Sequence, residues 1–234
     1  MPRKPVKPPD TAIGVDMDAF GAWLRHTFDR SPGELTKPLW YNRVDDPPTE
    51  WQQRPVVERD DPVATARRIR HLFCHAGILL DQYSDDQVGH GLDVIVNGSI
   101  DGEIYALAHR DVPVELRLTG LRSIVTLFRE VFSLRLKDPS RRDGQLGTVC
   151  FMFWDVANLA NPDGDTVLDV LEDTLALDSE PCQRAALHGL GHEYWSARNR
   201  EEVTAIVDRW LLRHPDVPDG LRAYANDARL GYVM

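Results

Sequence analysis

Two pairs of histidines stand one helical turn apart. His188 and His192, with Glu193 next to the second, close the run Cys182-Gln183-Arg184-Ala185-Ala186-Leu187-His188-Gly189-Leu190-Gly191-His192. Imidazoles at i and i+4 leave one face of a helix together and can share a transition metal. His188, His192 and Glu193 are therefore candidate ligands, with Glu193 as ligand or general base, and zinc or another divalent transition metal as the ion. The order is not the His-Glu-x-x-His of zinc peptidases, because the glutamate follows the pair. On a helical wheel the two histidines share a face with Ala185 and Trp195. Such a face equally suits packing on a neighbouring helix, and Gly189, Gly191 and Ala186 would permit a close approach. His71 and His75 form the second pair, on either side of Cys74. They fall opposite the apolar arc of their helix, beside Arg67, Arg68 and Gln82, which predicts a solvated face. A helical bundle could bring both pairs into one four-ligand site, whereas a stack of helix pairs would keep them apart.

The carboxylates are also concentrated. The chain of 234 residues has 27 basic and 37 acidic side chains, a net charge of −10. Nine of the acidic residues lie between Asp143 and Gln183, a stretch without Lys or Arg, which leaves the rest of the chain at −1. On the helix predicted from Asp165, the side chains of Asp165, Asp169, Glu172 and Asp173 share an arc of about 100°. Val167, Leu168, Val170, Leu171 and Leu175 take the other side. Asp155 and Asp163 could extend the stripe. Negative charge is the wrong sign for nucleic acid and the right one for a basic protein partner. The plainer reading is a solvated helix face.

A third candidate lies in 31–61. Pro32, Pro38, Pro47, Pro48 and Pro55 exclude a regular helix there, and the segment carries Trp40, Tyr41 and Trp51. An extended strap pinned to the helices by its aromatics accounts for this composition. The alternative is a lip that binds a small molecule or peptide over a helical groove. No Gly-rich phosphate loop, G-x-S-x-G elbow or Cys-x-x-Cys pair occurs, and no residue is assigned a catalytic role. Binding therefore stands ahead of catalysis.

The elements that position these residues are helices. Apolar residues recur at helical spacing in 15–29, then from Pro62 to Tyr83, and Ser84-Asp85-Asp86-Gln87 is a capping box for the next helix. Further helices are predicted over 103–109, from Val112-Pro113 to about Leu136, and over 148–160, 165–177, 181–198, 200–214 and 218–230. No stretch alternates as a strand does. The class is all-α.

Three helix starts look alike: Asp61-Pro62-Val63, Asp111-Val112-Pro113-Val114 and Ser179-Glu180-Pro181-Cys182. With short Asp/Pro/Gly turns between helices of about 12–20 residues, the region 61–230 resembles HEAT-type helical repeats. The Cys182–His192 run is similar to a segment of uncharacterised bacterial HEAT-like proteins. That resemblance implies stacked antiparallel helix pairs, a HEAT-like α-solenoid, and no activity; a helical bundle is the alternative architecture. The expected organisation is a flexible tail over 1–12 and one α-helical domain over 13–234. Cys74, Cys150 and Cys182 have no disulfide spacing. No apolar run approaches the roughly 20 residues of a membrane span, and the basic, Pro-rich start is not a secretory signal. The expectation is a cytoplasmic protein-binding scaffold, an adaptor or an immunity-type inhibitor, with a basic protein partner and no nucleic acid, membrane or cofactor. An α-helical metalloenzyme built on His188, His192 and Glu193 is the alternative.

Overall fold

The computed structural model describes residues 14–29, 61–98, 102–157, 159, 164–196 and 198–233. The predicted tail and the 31–60 part of the strap, with Trp40, Tyr41 and Trp51, lie outside the described residues, as does Asp163. Every regular element among the described residues is helical, so the protein is all-α. No described helix is long and apolar enough to cross a membrane.

Local chemistry sets most of the boundaries. Helix α1 (Met17–Phe28) opens on Asp16, whose carboxylate accepts the amides of Asp18 and Ala19. This is how an N-cap satisfies otherwise orphaned donors. Helix α2 (Pro62–Cys74) has proline in its first turn, as predicted, although the Asp61 side chain makes no capping bond. The sequence suggests continuation to Tyr83, but the helix breaks at His75 and a separate turn, Ala76–Leu79, follows. The carboxylate of Glu130 accepts the Gly77 amide at 3.2 Å and ties this turn to the neighbouring helix. Helix α3 (Asp85–Val96) starts with the predicted Ser84–Gln87 capping box, both halves of which are formed. A 3-10 segment, Glu103–Ala108, takes the place of the helix expected over 103–109.

The long helix predicted after Pro113 is α4 (Val114–Leu127), continued through a π turn at Phe128–Phe132 and a last turn at Ser133–Arg135. The π turn holds Phe128 and Phe132 ring to ring, with centroids 4.8 Å apart, against Phe153. Then come α5 (Gln145–Ala157), α6 (Gly164–Leu175), α7 (Glu180–Glu193), α8 (Arg200–Arg213) and α9 (Asp219–Ala228). Helix α7 ends before the predicted Arg198, where Trp195 turns back and its indole N–H donates to the Gly231 carbonyl at 3.0 Å.

The helices make their contacts in two rows. In one, α1 touches α3, α3 touches α5, α5 touches α7 and α7 touches α9; in the other, α2 touches α4, α4 touches α6 and α6 touches α8. The apolar core runs continuously between them from Phe20 to Ala228. Helix α7 also meets α6 and α8, and Gly189 permits its close approach to α5 and α6. A Cβ on Gly189 would stand 2.7 Å from Leu171 and 2.8 Å from Trp154.

Candidate functional site

Two surfaces deserve comparison, one on each row. The first is built on α7. His188 is buried and His192 is exposed. Their Nε2 atoms face each other at 3.2 Å, as the i, i+4 spacing predicts. The Nδ1 atom of His188 lies 2.7 Å from the Tyr224 hydroxyl on α9. Phe151 of α5 packs on the His188 ring with centroids 4.5 Å apart, and the Arg184 guanidinium covers Tyr224 at 5.4 Å. From α5, Asp155 Oδ1 approaches His192 Nε2 to 3.6 Å. One donor atom each from Asp155, His188 and His192 falls within 4.8 Å of the others.

Burial, followed by the neighbouring His192, pushes the His188 imidazole down to about 4, so it is neutral at physiological pH. Burial also drives the Tyr224 phenol up to about 12. The hydroxyl stays protonated, and the direction of its bond with His188 Nδ1 follows the imidazole tautomer.

Glu193 is placed differently from the expectation. Its carboxylate accepts the Asn199 amide at 2.6 Å, and burial raises its pKa despite that bond. Among the described residues the donor cluster takes its carboxylate from Asp155 instead. Asp155 was legible only as one more acidic side chain, and Tyr224 gave no signal at all. Both reach His188 through the packing of α5 and α9 on α7.

The second histidine pair stays away from the first. His71 is not solvated: it is buried, edge-on to Phe20 of α1 with centroids 4.8 Å apart, and tilted at 58° to the His75 ring. Helix α1 covers the face that the α2 pattern alone leaves open. Among the described residues no donor cluster joins His71 or His75 to His188 and His192.

The second surface is the α6 face. Asp165, Asp169 and Asp173 are exposed and Glu172 is half-buried, while Val167, Leu168, Val170, Leu171 and Leu175 are buried. The predicted division of the helix is therefore present. Helix α8 and the turn before it neutralise part of it: Arg198 bonds Asp165 at 2.8 Å, and Arg209 bridges Glu172 and Glu202, each at 3.1 Å. Among the described residues Asp169 and Asp173 have no cation in ion-pair contact. Desolvation, then Asp169 and Glu172, raise the Asp173 carboxyl above its usual range. Asp165, Asp169 and Glu172 line a cleft of about 340 Å³ with Arg198, Glu202 and Ile206. Asp155 does not extend this stripe, since it faces His192.

No family model matches the chain, and no curated protein or solved structure matches it.

Proposed function

We propose that this protein is a HEAT-like scaffold of stacked antiparallel helix pairs that binds a basic protein through the α6 face, as an adaptor or as an inhibitor masking a basic effector. Contacts that skip one helix along the chain support the stacking, because paired helices in a solenoid lie in two parallel rows. A solenoid also accounts for the separation of the two histidine pairs.

The observation that carries the binding reading is the charge imbalance on α6. Arginines reach Asp165 and Glu172, and among the described residues none is in ion-pair contact with Asp169 or Asp173. Desolvation, then repulsion from Asp169 and Glu172, raises Asp173 against the opposing fields of Arg129 and Arg122, and a cationic side chain in the adjoining cleft would relieve the repulsive part. Exposed ion pairs contribute about 0.2–1 kcal/mol each. Two of them correspond to roughly a fivefold gain in affinity, with faster encounter at low salt.

The test uses an arginine-rich peptide as a defined cationic probe, titrated by fluorescence anisotropy at low and high salt. Asp169→Asn/Asp173→Asn is compared with Asp81→Asn/Asp216→Asn, which removes the same charge from exposed positions elsewhere. The expected result is roughly fivefold weaker binding for the first variant only, with the difference vanishing at high salt. Equal weakening in both variants, or in neither, would remove the α6 face as a docking surface.

A further inference from the structure

We propose that Asp155, His188 and His192 form a mononuclear site for a borderline divalent cation of the zinc type, with Tyr224 as the residue that positions His188. This site lies on the α5–α7–α9 row and stands whether or not the α6 face docks a partner.

The argument starts from the two Nε2 atoms, 3.2 Å apart. The contact is a hydrogen bond when one Nε2 carries the proton, and a metal ion can take that proton's place. Two nitrogens bound to one zinc at about 2.0–2.1 Å, with a tetrahedral angle, stand roughly 3.3–3.4 Å apart. The pair is therefore already at chelating separation. Asp155 Oδ1, 3.6 Å from His192 Nε2, is near the third vertex. All three donor atoms lie within 4.8 Å of one another, so small rotamer changes complete the set.

The surroundings match what a metal ligand needs. With its proton on Nδ1, donated to the Tyr224 oxygen at 2.7 Å, His188 directs the Nε2 lone pair to the site. A hydrogen bond on the far nitrogen fixes tautomer and ring orientation in this way. Phe151 packs on the His188 ring and restricts its rotation. The donors come from helices rather than loops, and two of them from one helix turn. Donor chemistry selects the ion: two imidazoles and one carboxylate suit zinc, cobalt, nickel or copper, whereas magnesium and calcium prefer oxygen. The His192 and Asp155 side chains are 43% and 39% exposed. The remaining coordination position thus faces solvent and would hold an exchangeable water.

The experiment titrates cobalt(II) into protein made without a histidine tag and stripped with chelator. Four-coordinate cobalt gives intense visible bands that six-coordinate cobalt lacks. The expected result is one equivalent bound with the four-coordinate spectrum, displaced by zinc and not by magnesium. His192→Ala abolishes the bands, and Asp155→Asn weakens binding at least tenfold. Both positions are exposed, so the variants keep the wild-type circular dichroism and melting curve, which buried His188 variants need not. Tyr224→Phe keeps every metal ligand and lowers cobalt affinity about tenfold or more, a readout that a purely structural tyrosine would not move at an unchanged apo melting temperature. A six-coordinate spectrum, or binding that ignores Asp155→Asn and His192→Ala, overturns the site. Binding lost in His192→Ala but untouched in Asp155→Asn overturns Asp155 as a ligand and leaves a bare imidazole pair.

Discussion

Gly189 sits where α7 crosses α5 and α6, and replacing it with alanine tests that crossing directly. Two effects oppose each other. Alanine favours a helix interior over glycine by about 1 kcal/mol. Against this, the new Cβ would meet Leu171 Cδ2 at 2.7 Å, Trp154 Cγ at 2.8 Å and Trp154 Cβ at 2.9 Å. Leu171 is fully buried and Trp154 nearly so, so neither can swing into solvent. Overpacking of this kind costs about 1–3 kcal/mol. The clash outweighs the gain, with a net loss of up to about 2 kcal/mol, and for a chain of this length the melting temperature falls by up to roughly 8 °C. Gly220 provides the internal comparison. It lies in the first turn of α9, and a Cβ there meets nothing within 4 Å. Gly220→Ala keeps the propensity gain alone, about 0.5–1 kcal/mol, and melts slightly higher than wild type. Thermal and urea unfolding followed by circular dichroism read both variants. If Gly189→Ala matched or exceeded the stability of Gly220→Ala, the close approach of these three helices would be wrong.

Three other perturbations have defined outcomes. Asp173 has a raised pKa in the fold, so its ionised form is the less favourable one in the native state. Asp173→Asn is expected to melt at or above wild type at pH 7 while binding the cationic probe more weakly. That stability difference shrinks as pH falls through the carboxylate range and Asp173 takes up its proton, which melting curves from pH 7 to about 4 would follow. Glu103 accepts both the Trp23 indole N–H and the Arg68 guanidinium at 3.0 Å, with the two charged side chains 12% and 17% exposed. Glu103→Ala removes both bonds and costs about 2–4 kcal/mol in urea unfolding, whereas Glu103→Gln, which keeps an acceptor for the Trp23 indole, costs less. Finally, Cys150 and Cys182 are buried thiols that donate to the Pro181 and Phe128 carbonyls at 3.9 and 3.7 Å, and burial pushes the Cys150 thiol well up. Iodoacetamide is expected to leave both unmodified in the native protein and to label them at full rate in denaturant, with mass spectrometry as the readout; rapid native labelling of either would contradict their burial.

Periodicity and punctuation carried the class and most helix positions. Apolar residues at helical spacing place the inward faces, Ser84–Gln87 marks one start, and Pro62 and Pro181 lie in first turns. These signals are local, so they are readable one helix at a time. The i, i+4 geometry of His188 and His192 and the carboxylate arc of α6 belong to the same kind of information. Contacts between helices were out of reach. Glu130 accepting the Gly77 amide, Phe20 covering His71, and Arg209 neutralising Glu172 all depend on which face meets which. So do the arrivals of Asp155 and Tyr224 at His188. A linear pattern states that a face is apolar or acidic; only the packing of one rod on another decides what stands opposite it, because that choice is made by shape and burial across the whole core.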